Sequence, residues 1–257
     1  MVEEIAFTED EFLSGRIKAI QSKKGFRSGI DTVLLAASVD LKSTNIAEFG
    51  AGSGIASCCV LADLTQANAT LIDFNADALG LADKNLKKNG FSKRAKTLLL
   101  DVTNKGSVRE EAGLKNNYYT SIIANPPFFD AKAGTISPQI ARADSRHMQN
   151  DDLDKWVKCA ASSAAAGGEV IFIHSIGALP RLLGSFSARF GNISVLPISS
   201  RPQQNTSRVL IRGIKGSRAP MSLLAPLVLH GPDGNSYLEQ ADAIFRGKSR
   251  ISWKNTP

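Results

Sequence analysis

From about residue 44 onward, short apolar runs of strand length alternate with longer segments whose apolar residues recur at helical spacing. Strands separated by helices pair in parallel, because a helical crossover returns the chain to the same edge of the sheet. The alternation therefore predicts an α/β protein with a doubly wound, mostly parallel sheet of seven strands, the last two forming an antiparallel hairpin. The predicted strands are residues 46–49, 69–73, 97–100, 119–124, 169–174, 193–196 and 209–214. The predicted helices are residues 55–64, 76–89, 153–166 (closed by Gly167-Gly168) and 178–190.

Residues 1–43 do not follow this alternation. Residues 12–17 fit a strand broken by a glycine-containing turn, and Asp31 is a good N-cap for an apolar helix over residues 32–39. No obvious linker separates this part from the rest of the sequence. We therefore predict that residues 1–43 are an N-terminal extension packed on the sheet, and that residues 44–257 form the main domain, including a basic C-terminal segment.

The composition is that of an ordinary globular protein, with 43% hydrophobic and 21% charged residues. Three cysteines, two of them adjacent, give neither a disulfide framework nor the ligand spacing of a metal site. The acidic N-terminus lacks the basic start and apolar run of a signal peptide, and no apolar stretch approaches the roughly 18 residues of a membrane span. We therefore expect a cytoplasmic, reduced protein with no membrane partner and no metal.

Basic residues are concentrated in three segments of the chain. The formal net charge is +7, and residues 15–30 and 84–96 contain five and six Lys or Arg without an acidic residue. Residues 201–257 contain nine basic and three acidic residues. Solvated helix faces also carry such charges, but the pattern favours a polyanionic partner, and Arg27 and Arg201 are candidate substrate contacts.

A glycine-rich loop, residues 48–54 (Glu-Phe-Gly-Ala-Gly-Ser-Gly), stands between a predicted strand and a predicted helix. Glycines at such a junction permit a tight turn and let a ligand approach the backbone at the helix N-terminus. A dinucleotide-binding fingerprint needs glycine at the sixth position, which here is Ile55, so the phosphate-cradling form is broken. Gly50, Gly52 and Gly54 are therefore candidate contacts of another ligand. A turn that only packs the strand on the helix is the alternative.

Acidic residues stand at the ends of successive predicted strands. Asp73 follows the loop by about 20 residues, the position from which a carboxylate accepts both ribose hydroxyls of an adenosine-containing ligand. Asp101 is placed to accept from an adenine amino group, with the Val102 backbone N–H as a donor, and Glu48 is placed to face an ammonium group. Each acid alone could cap a helix or a turn. Because ligands of open α/β sheets bind at the carboxyl ends of the strands, we predict that these residues and Phe74 form a cofactor site.

The sequence Asn125-Pro126-Pro127-Phe128 follows the fourth predicted strand. Each proline removes a backbone donor, so the Asn125 side-chain oxygen and the Pro126 carbonyl are acceptors with no adjacent N–H to neutralise them. Two converging acceptors suit the binding of both hydrogens of a planar –NH2 group, and Phe128 offers a ring on which a planar substrate can stack. We therefore predict that these four residues are catalytic and that Phe129 contacts the substrate. The alternative is a turn, because Asn-Pro is common there.

The Glu-x-Gly-x-Gly-x-Gly loop together with Asn-Pro-Pro-Phe resembles the class I amino-methyltransferases, which modify exocyclic amines of adenine, guanine or glutamine. Residues 21–36, 207–211 and 227–237 are further similar to the bacterial tRNA1(Val) (adenine-N6)-methyltransferases, which act beside the anticodon. The resemblance implies a Rossmann-like fold, S-adenosylmethionine as cofactor, tRNA or another structured RNA as partner, and methyl transfer to the N6 amine of an adenosine. Two residues depart from the family's pattern, since Phe128 replaces the usual tyrosine and Asp73 stands where many relatives carry glutamate.

Three other functions are open at this point. A protein-glutamine N5-methyltransferase uses the same motif on an amide, and another RNA base amine could be the acceptor. A non-catalytic RNA-binding protein that keeps the fold is the third. The broad basic charge favours RNA over a peptide loop, and the intact Asn125 and Gly54 argue against a non-catalytic protein.

Overall fold

The computed structural model describes residues 7–23, 27–127 and 152–254. After residue 44 the predicted strands and helices are present in the predicted order, and two further helices, Gly106–Glu111 and Glu239–Phe245, were not predicted. The strands are β1 (Phe7–Phe12), β2 (Ile17–Ser22), β3 (Asn45–Phe49), β4 (Asn68–Asp73), β5 (Ala95–Leu99), β6 (Tyr119–Ala124), β7 (Ala164–Ser175), β8 (Phe190–Ser199), β9 (Arg208–Lys215), β10 (Ser222–Leu223) and β11 (Leu227–Val228). The helices are α1 (Ile30–Ala37), α2 (Ile55–Asp63), α3 (Ala76–Lys88), α4 (Gly106–Glu111), α5 (Asp152–Ser163), α6 (Leu179–Ser187) and α7 (Glu239–Phe245), with a 3-10 turn at Ile176–Ala178.

Within the described residues, the main sheet has nine strands in the order β10-β8-β9-β7-β6-β3-β4-β5, with β11 also paired to β8. Strand β3 is parallel to β4 and β6, β4 is parallel to β5, and β6 is parallel to β7, whereas β9 is antiparallel to both β7 and β8. The predicted doubly wound sheet with an antiparallel last pair is thereby confirmed. The two-residue strands β10 and β11 add to the predicted seven, and they are too short to give a pattern in the sequence.

Apolar side chains on both faces of the sheet form two buried clusters. Successive strand residues point to opposite faces, so Ile171 of β7 belongs to one cluster and Phe172 to the other. Burial on both faces explains why the parallel strands are continuous apolar runs in the sequence. None of the helices in the described ranges is long and apolar enough to cross a membrane.

The boundary between α5 and β7 differs from the prediction. Gly167 and Gly168 lie within β7 and do not close α5, which ends at Ser163. Gly167 has a left-handed backbone (φ 74°), and a Cβ on Gly168 would lie 2.8 Å from the Tyr119 carbonyl oxygen. The pairing of β6 with β7 shifts register between Tyr119 and Ser121. The two glycines therefore allow an irregular, close strand pairing, which the sequence does not distinguish from a helix stop.

The N-terminal part of the chain forms the antiparallel β1–β2 hairpin and α1. The buried Asn85 side chain of α3 joins the hairpin to the main domain, since it accepts from the Ile20 N–H at 2.7 Å and donates to the Ile20 carbonyl at 3.0 Å. The predicted N-cap at Asp31 is wrong, because Gly29 precedes the helix. The Asp31 carboxylate forms an ion pair with the Arg208 Nε of β9 at 2.7 Å instead. The division of the chain at residue 43 stays a prediction.

Candidate functional site

Several predicted site residues lie at the same edge of the sheet. Strand β3 pairs in parallel with β4 on one side and with β6 on the other, and β4 pairs in parallel with β5. The carboxyl ends of these four strands therefore meet at one edge, which we call the carboxyl edge. The loop of residues 50–54 follows β3, Asp73 ends β4, Asp101 follows β5 and Asn125 follows β6. The fold thus brings the glycine loop, the two aspartates and the asparagine together.

The three glycines of the loop all have left-handed backbones, with φ of 65° at Gly50, 53° at Gly52 and 74° at Gly54. A Cβ on Gly54 would lie 2.5 Å from the Leu71 side chain, and a Cβ on Gly50 would lie 2.7 Å from the Trp156 ring. A Cβ on Gly52 would meet no atom of the described residues within 4 Å. Gly50 and Gly54 therefore serve the packing of the loop, whereas Gly52 borders open space that a ligand can fill.

The Asp73 carboxylate joins β4 to this loop. Its Oδ2 accepts a hydrogen bond from the Gly52 N–H at 2.8 Å, and its Oδ1 accepts from the Asn75 N–H at 2.9 Å. Burial raises the pKa of the Asp73 carboxyl, which is 8% exposed. The neighbouring Phe74 side chain is 51% exposed. An acceptor therefore borders the open space at Gly52, and an exposed aromatic residue follows that acceptor in the chain.

The Glu48 carboxylate is buried behind the loop, at the first turn of α2. Its Oε2 accepts hydrogen bonds from the Ser57 N–H at 2.9 Å and from the Ser57 hydroxyl at 2.5 Å. Burial disfavours the ionised form and raises the pKa of Glu48 to about 7. The carboxylate therefore fastens α2 to the end of β3, and its contact with an ammonium group stays a prediction.

Glu48→Gln is expected to change how the free energy of unfolding depends on pH. The folded state binds the Glu48 proton more tightly than the unfolded chain, so the wild type loses stability as the pH rises from 4.5 through about 7. Glutamine keeps an acceptor for Ser57 and cannot ionise, so the variant lacks this loss, which is about 3 kcal/mol. Urea unfolding across this pH range measures the difference, and parallel pH profiles for the two proteins would contradict the assignment.

Asp101 forms a local turn at the carboxyl edge. Its Oδ1 accepts hydrogen bonds from the Thr103 N–H at 2.8 Å and from the Thr103 hydroxyl at 2.7 Å, so the capping alternative holds for this oxygen. Its Oδ2 makes no hydrogen bond to the residues that the structure describes. Val102 is buried. The Asp101 Oδ2 is therefore left as an acceptor, and the adenine contact of both residues stays a prediction.

Asn125 lies directly after β6, beside the glycine loop. Its side chain is half-buried, and it makes no hydrogen bond to any residue in the ranges 7–23, 27–127 and 152–254. Pro126 is buried and Pro127 is exposed. Since buried polar groups usually have partners, an unpartnered carboxamide at this edge is suited to bind a polar group of a ligand. Phe128 and Phe129 lie outside the described residues.

The two arginines predicted to contact the substrate are engaged within the protein. The Arg27 guanidinium pairs with Asp10 of β1 at 2.8 Å. The Arg201 guanidinium donates to the carbonyls of Gly231 at 2.9 Å and Gly234 at 2.6 Å, and it thereby holds the turn that follows β11. Both terminal nitrogens of Arg201 are engaged in these bonds, whereas Arg27 uses one terminal nitrogen and keeps its other donors. Their roles as substrate contacts stay predictions.

Sequence reasoning missed two residues that support the loop. Trp156 of α5 lies against Gly50, and the fully buried Asn85 of α3 donates to the Ser53 carbonyl at 2.9 Å. Both contacts join residues far apart in the sequence, so no local pattern shows them. The sequence does contain one signal for Asn85, because a polar asparagine stands among the apolar residues of the α3 pattern, next to Leu86.

Comparison with known proteins gives similarities to methyltransferases. A family model of the methyltransferase small domain matches residues 19–151. A tRNA1(Val) (adenine(37)-N6)-methyltransferase of a Flavobacteriaceae bacterium is 33% identical over 60% of this chain. A release factor glutamine methyltransferase of Agrobacterium fabrum is 30% identical over 58% of this chain. The chain spans 61% of the length of the first relative and 50% of the second.

A solved structure is similar over a larger part of the chain. The crystal structure of a predicted O-methyltransferase from Agrobacterium tumefaciens has a TM-score of 0.74 at 28% identity, covering 86% of this chain and 98% of that chain. The agreement confirms the Rossmann-like methyltransferase fold. The names of these relatives give three kinds of acceptor, namely an adenine amine, a glutamine amide and an oxygen, so similarity alone does not identify the acceptor.

The carboxyl edge fits S-adenosylmethionine, the cofactor that the sequence resemblance implies. A side chain at Gly52 would fill the open space, the Asp73 carboxylate borders this space, and the exposed Phe74 follows Asp73 in the chain. These features suit an adenosine with free ribose hydroxyls. Within the described part of the chain, no group of three or more metal-ligating side chains accompanies them.

Proposed function

Because the chain belongs to the family of methyltransferase small domains, we propose that it is an S-adenosylmethionine-dependent N-methyltransferase that modifies the exocyclic N6 amine of an adenosine in tRNA. The observation that carries this proposal is the Asn125 carboxamide. It lies half-buried at the carboxyl edge, near the open space at Gly52, and has no hydrogen-bond partner among the described residues. A planar amine supplies a hydrogen-bond donor to the Asn125 side-chain oxygen, which accepts none from the described residues.

Asn125 and Pro126 position the substrate amine. The Asn125 Oδ1 and the Pro126 carbonyl accept its two hydrogens, and the prolines at 126 and 127 present no N–H that could compete for these acceptors. The nitrogen lone pair is thereby turned toward the methyl group, and the positive charge that grows on nitrogen is stabilised. When bound, S-adenosylmethionine supplies this methyl group on a positively charged sulfur. The amine proton leaves to water after the transfer.

The cofactor contacts in this proposal come from the strand ends. The Asp73 carboxylate, held by the Gly52 N–H, accepts the ribose hydroxyls. The Asp101 Oδ2 accepts from the adenine amino group, and the Val102 N–H donates to the ring. Phe74 packs beside the adenosine. These assignments are supported by the adjacency of the ends of β3, β4 and β5 in the sheet.

RNA is favoured over protein as the substrate by charge and similarity. The chain carries a net charge of +7, and positively charged proteins are attracted to the phosphate backbone of RNA. The tRNA enzyme is also the more similar of the two curated relatives described above. A protein-glutamine N5-methyltransferase is the second candidate, because the relative from Agrobacterium fabrum bears that name and an amide offers the same –NH2 group.

Incubation with methyl-tritiated S-adenosylmethionine and either total RNA or total protein tests the proposal. We expect the label to enter RNA, and within it the tRNA fraction, since the dense negative charge of a phosphate backbone complements the chain's net charge of +7. Label in a protein of the release-factor class would support the second candidate instead. A protein that labels neither pool would contradict both.

A further inference from the structure

A concave surface lies at the amino edge of the sheet, opposite the carboxyl edge. It is a cavity of about 400 Å³ between the starts of β3, β4, β5 and β6. Tyr119 at the start of β6 and Asn125 after its end are six residues apart, which corresponds to roughly 20 Å along a strand. This cavity is therefore separate from the candidate site. We call it the basic cleft, and the residues that characterise it are Lys93, Arg94, Lys96, Lys115 and Tyr118.

Four basic side chains and no acidic side chain of the described residues line the basic cleft. Arg94 belongs to the fold, because its guanidinium donates to three backbone carbonyls in and after α2. Lys93, Lys96 and Lys115 are exposed, and none of them forms an ion pair in the part of the chain that the structure describes. Like charges gathered in a concave surface without counterions repel each other, so the cleft attracts an anion.

Tyr118 forms a wall of the basic cleft and holds Lys115. The Lys115 Nζ lies 4.1 Å from the centre of the Tyr118 ring, which is a cation–π contact. The Tyr118 hydroxyl donates to the Asn45 Oδ1 of β3 at 3.0 Å and so fixes the ring to the sheet. One ammonium group is therefore held in place before an anion binds, which lowers the entropy cost of binding.

We propose that the basic cleft binds backbone phosphates of the RNA substrate, at a site remote from the base that is methylated; this inference rests on the proposed function. Lysine side chains neutralise phosphates and release the counterions bound to them. Lys87 is exposed in the last turn of α3, a few residues before Lys93 in the sequence, and it adds positive charge to this part of the chain. A folded RNA is large enough to contact both edges of the sheet, and it carries phosphates along its whole length. The cleft therefore favours structured RNA as substrate.

Replacing Lys93, Lys96 and Lys115 together with Gln tests this site. Glutamine keeps most of the side-chain length and removes the charge, and Arg94 is left in place because the fold needs it. We expect the affinity for an unmodified tRNA transcript to fall about tenfold or more at moderate salt, and the slope of log affinity against log salt to decrease in magnitude by about 2 to 3. The affinity for S-adenosylmethionine, measured in parallel, should not change because the carboxyl edge is untouched.

The matched control replaces Lys158, Lys248 and Lys254 with Gln, which removes the same charge from exposed positions outside the cleft. A clearly smaller loss in the control supports the cleft. Equal losses in the two triple variants would overturn it, because binding would then follow net charge alone. If the cleft variant binds RNA more weakly than the control while the wild type methylates no RNA, the proposed function fails and the cleft stands. A wild type that does not bind the transcript overturns both.

Discussion

Asn125→Ala is expected to slow methyl transfer by about a hundredfold or more, since losing one group that stabilises developing charge costs on the order of 3 kcal/mol. Alanine removes the side-chain acceptor and leaves the Pro126 carbonyl, so the amine is neither oriented nor stabilised as its charge grows. The residues proposed to bind the cofactor, at Gly52, Asp73 and Asp101, are unchanged. Single-turnover methylation of an unmodified tRNA, with cofactor affinity measured in parallel, separates these effects.

A conservative change at the same position serves as the control for this experiment. Asn125→Asp keeps an accepting oxygen at the same distance from the backbone, and we expect it to retain more activity than the alanine variant. If Asn125→Ala methylates at the wild-type rate, Asn125-Pro126-Pro127 is only a turn. A parallel loss of cofactor affinity would show that Asn125 supports the loop and does not act on the amine.

Gly52→Val is expected to lower the affinity for S-adenosylmethionine by about a hundredfold or more, because the valine side chain would fill the open space in which the cofactor is proposed to approach the loop backbone. Valine there also strains the backbone, which costs about 1 to 2 kcal/mol. Gly90→Val is the matched control, since Gly90 also has a positive φ (75°) and no described atom near its Cβ position, but it follows the end of α3.

Both glycine variants should therefore melt at similar, moderately reduced temperatures. Isothermal titration calorimetry with S-adenosylmethionine then isolates the effect on the ligand, and only Gly52→Val should lose binding. If the two variants bind the cofactor equally well, the open space at Gly52 is not the cofactor site. Gly54→Ala would not make this distinction, because its Cβ would clash with Leu71 and destabilise the fold itself.

The order of strands and helices could be predicted from the sequence because the parallel strands are buried on both faces. Residues 119–124 were predicted as a strand with the bounds that β6 has in the structure. The prediction errs where the local structure is determined by a contact with a residue that is far away in the sequence. Asp31 matches a local N-cap pattern, but the helix begins at Ile30 and the Asp31 carboxylate pairs with Arg208 of β9. Gly167 and Gly168 match the pattern of a helix stop. In the structure they lie inside β7, where the close approach of β6 leaves no room for a side chain at Gly168.

The candidate site could be predicted in part, because its residues follow strand ends that the alternation already orders. The sequence could not show which of the three glycines serves packing and which borders a ligand, because this depends on the atoms that surround each glycine in the fold. Gly54 faces Leu71 and Gly50 faces Trp156, so only Gly52 borders open space. Arg201 shows the same limit, since its charge suggested a phosphate but its guanidinium holds a turn about 30 residues away in the sequence.

The identity of the methylated nucleoside tests the central claim most directly. Unmodified tRNA is incubated with the protein and deuterated S-adenosylmethionine, digested to nucleosides and analysed by mass spectrometry. We predict one labelled product, N6-methyladenosine, whose formation depends on Asn125. A methyl group on a ribose oxygen, on a ring nitrogen or on the exocyclic amine of guanine would contradict the account, because none of these is the exocyclic amine of adenine.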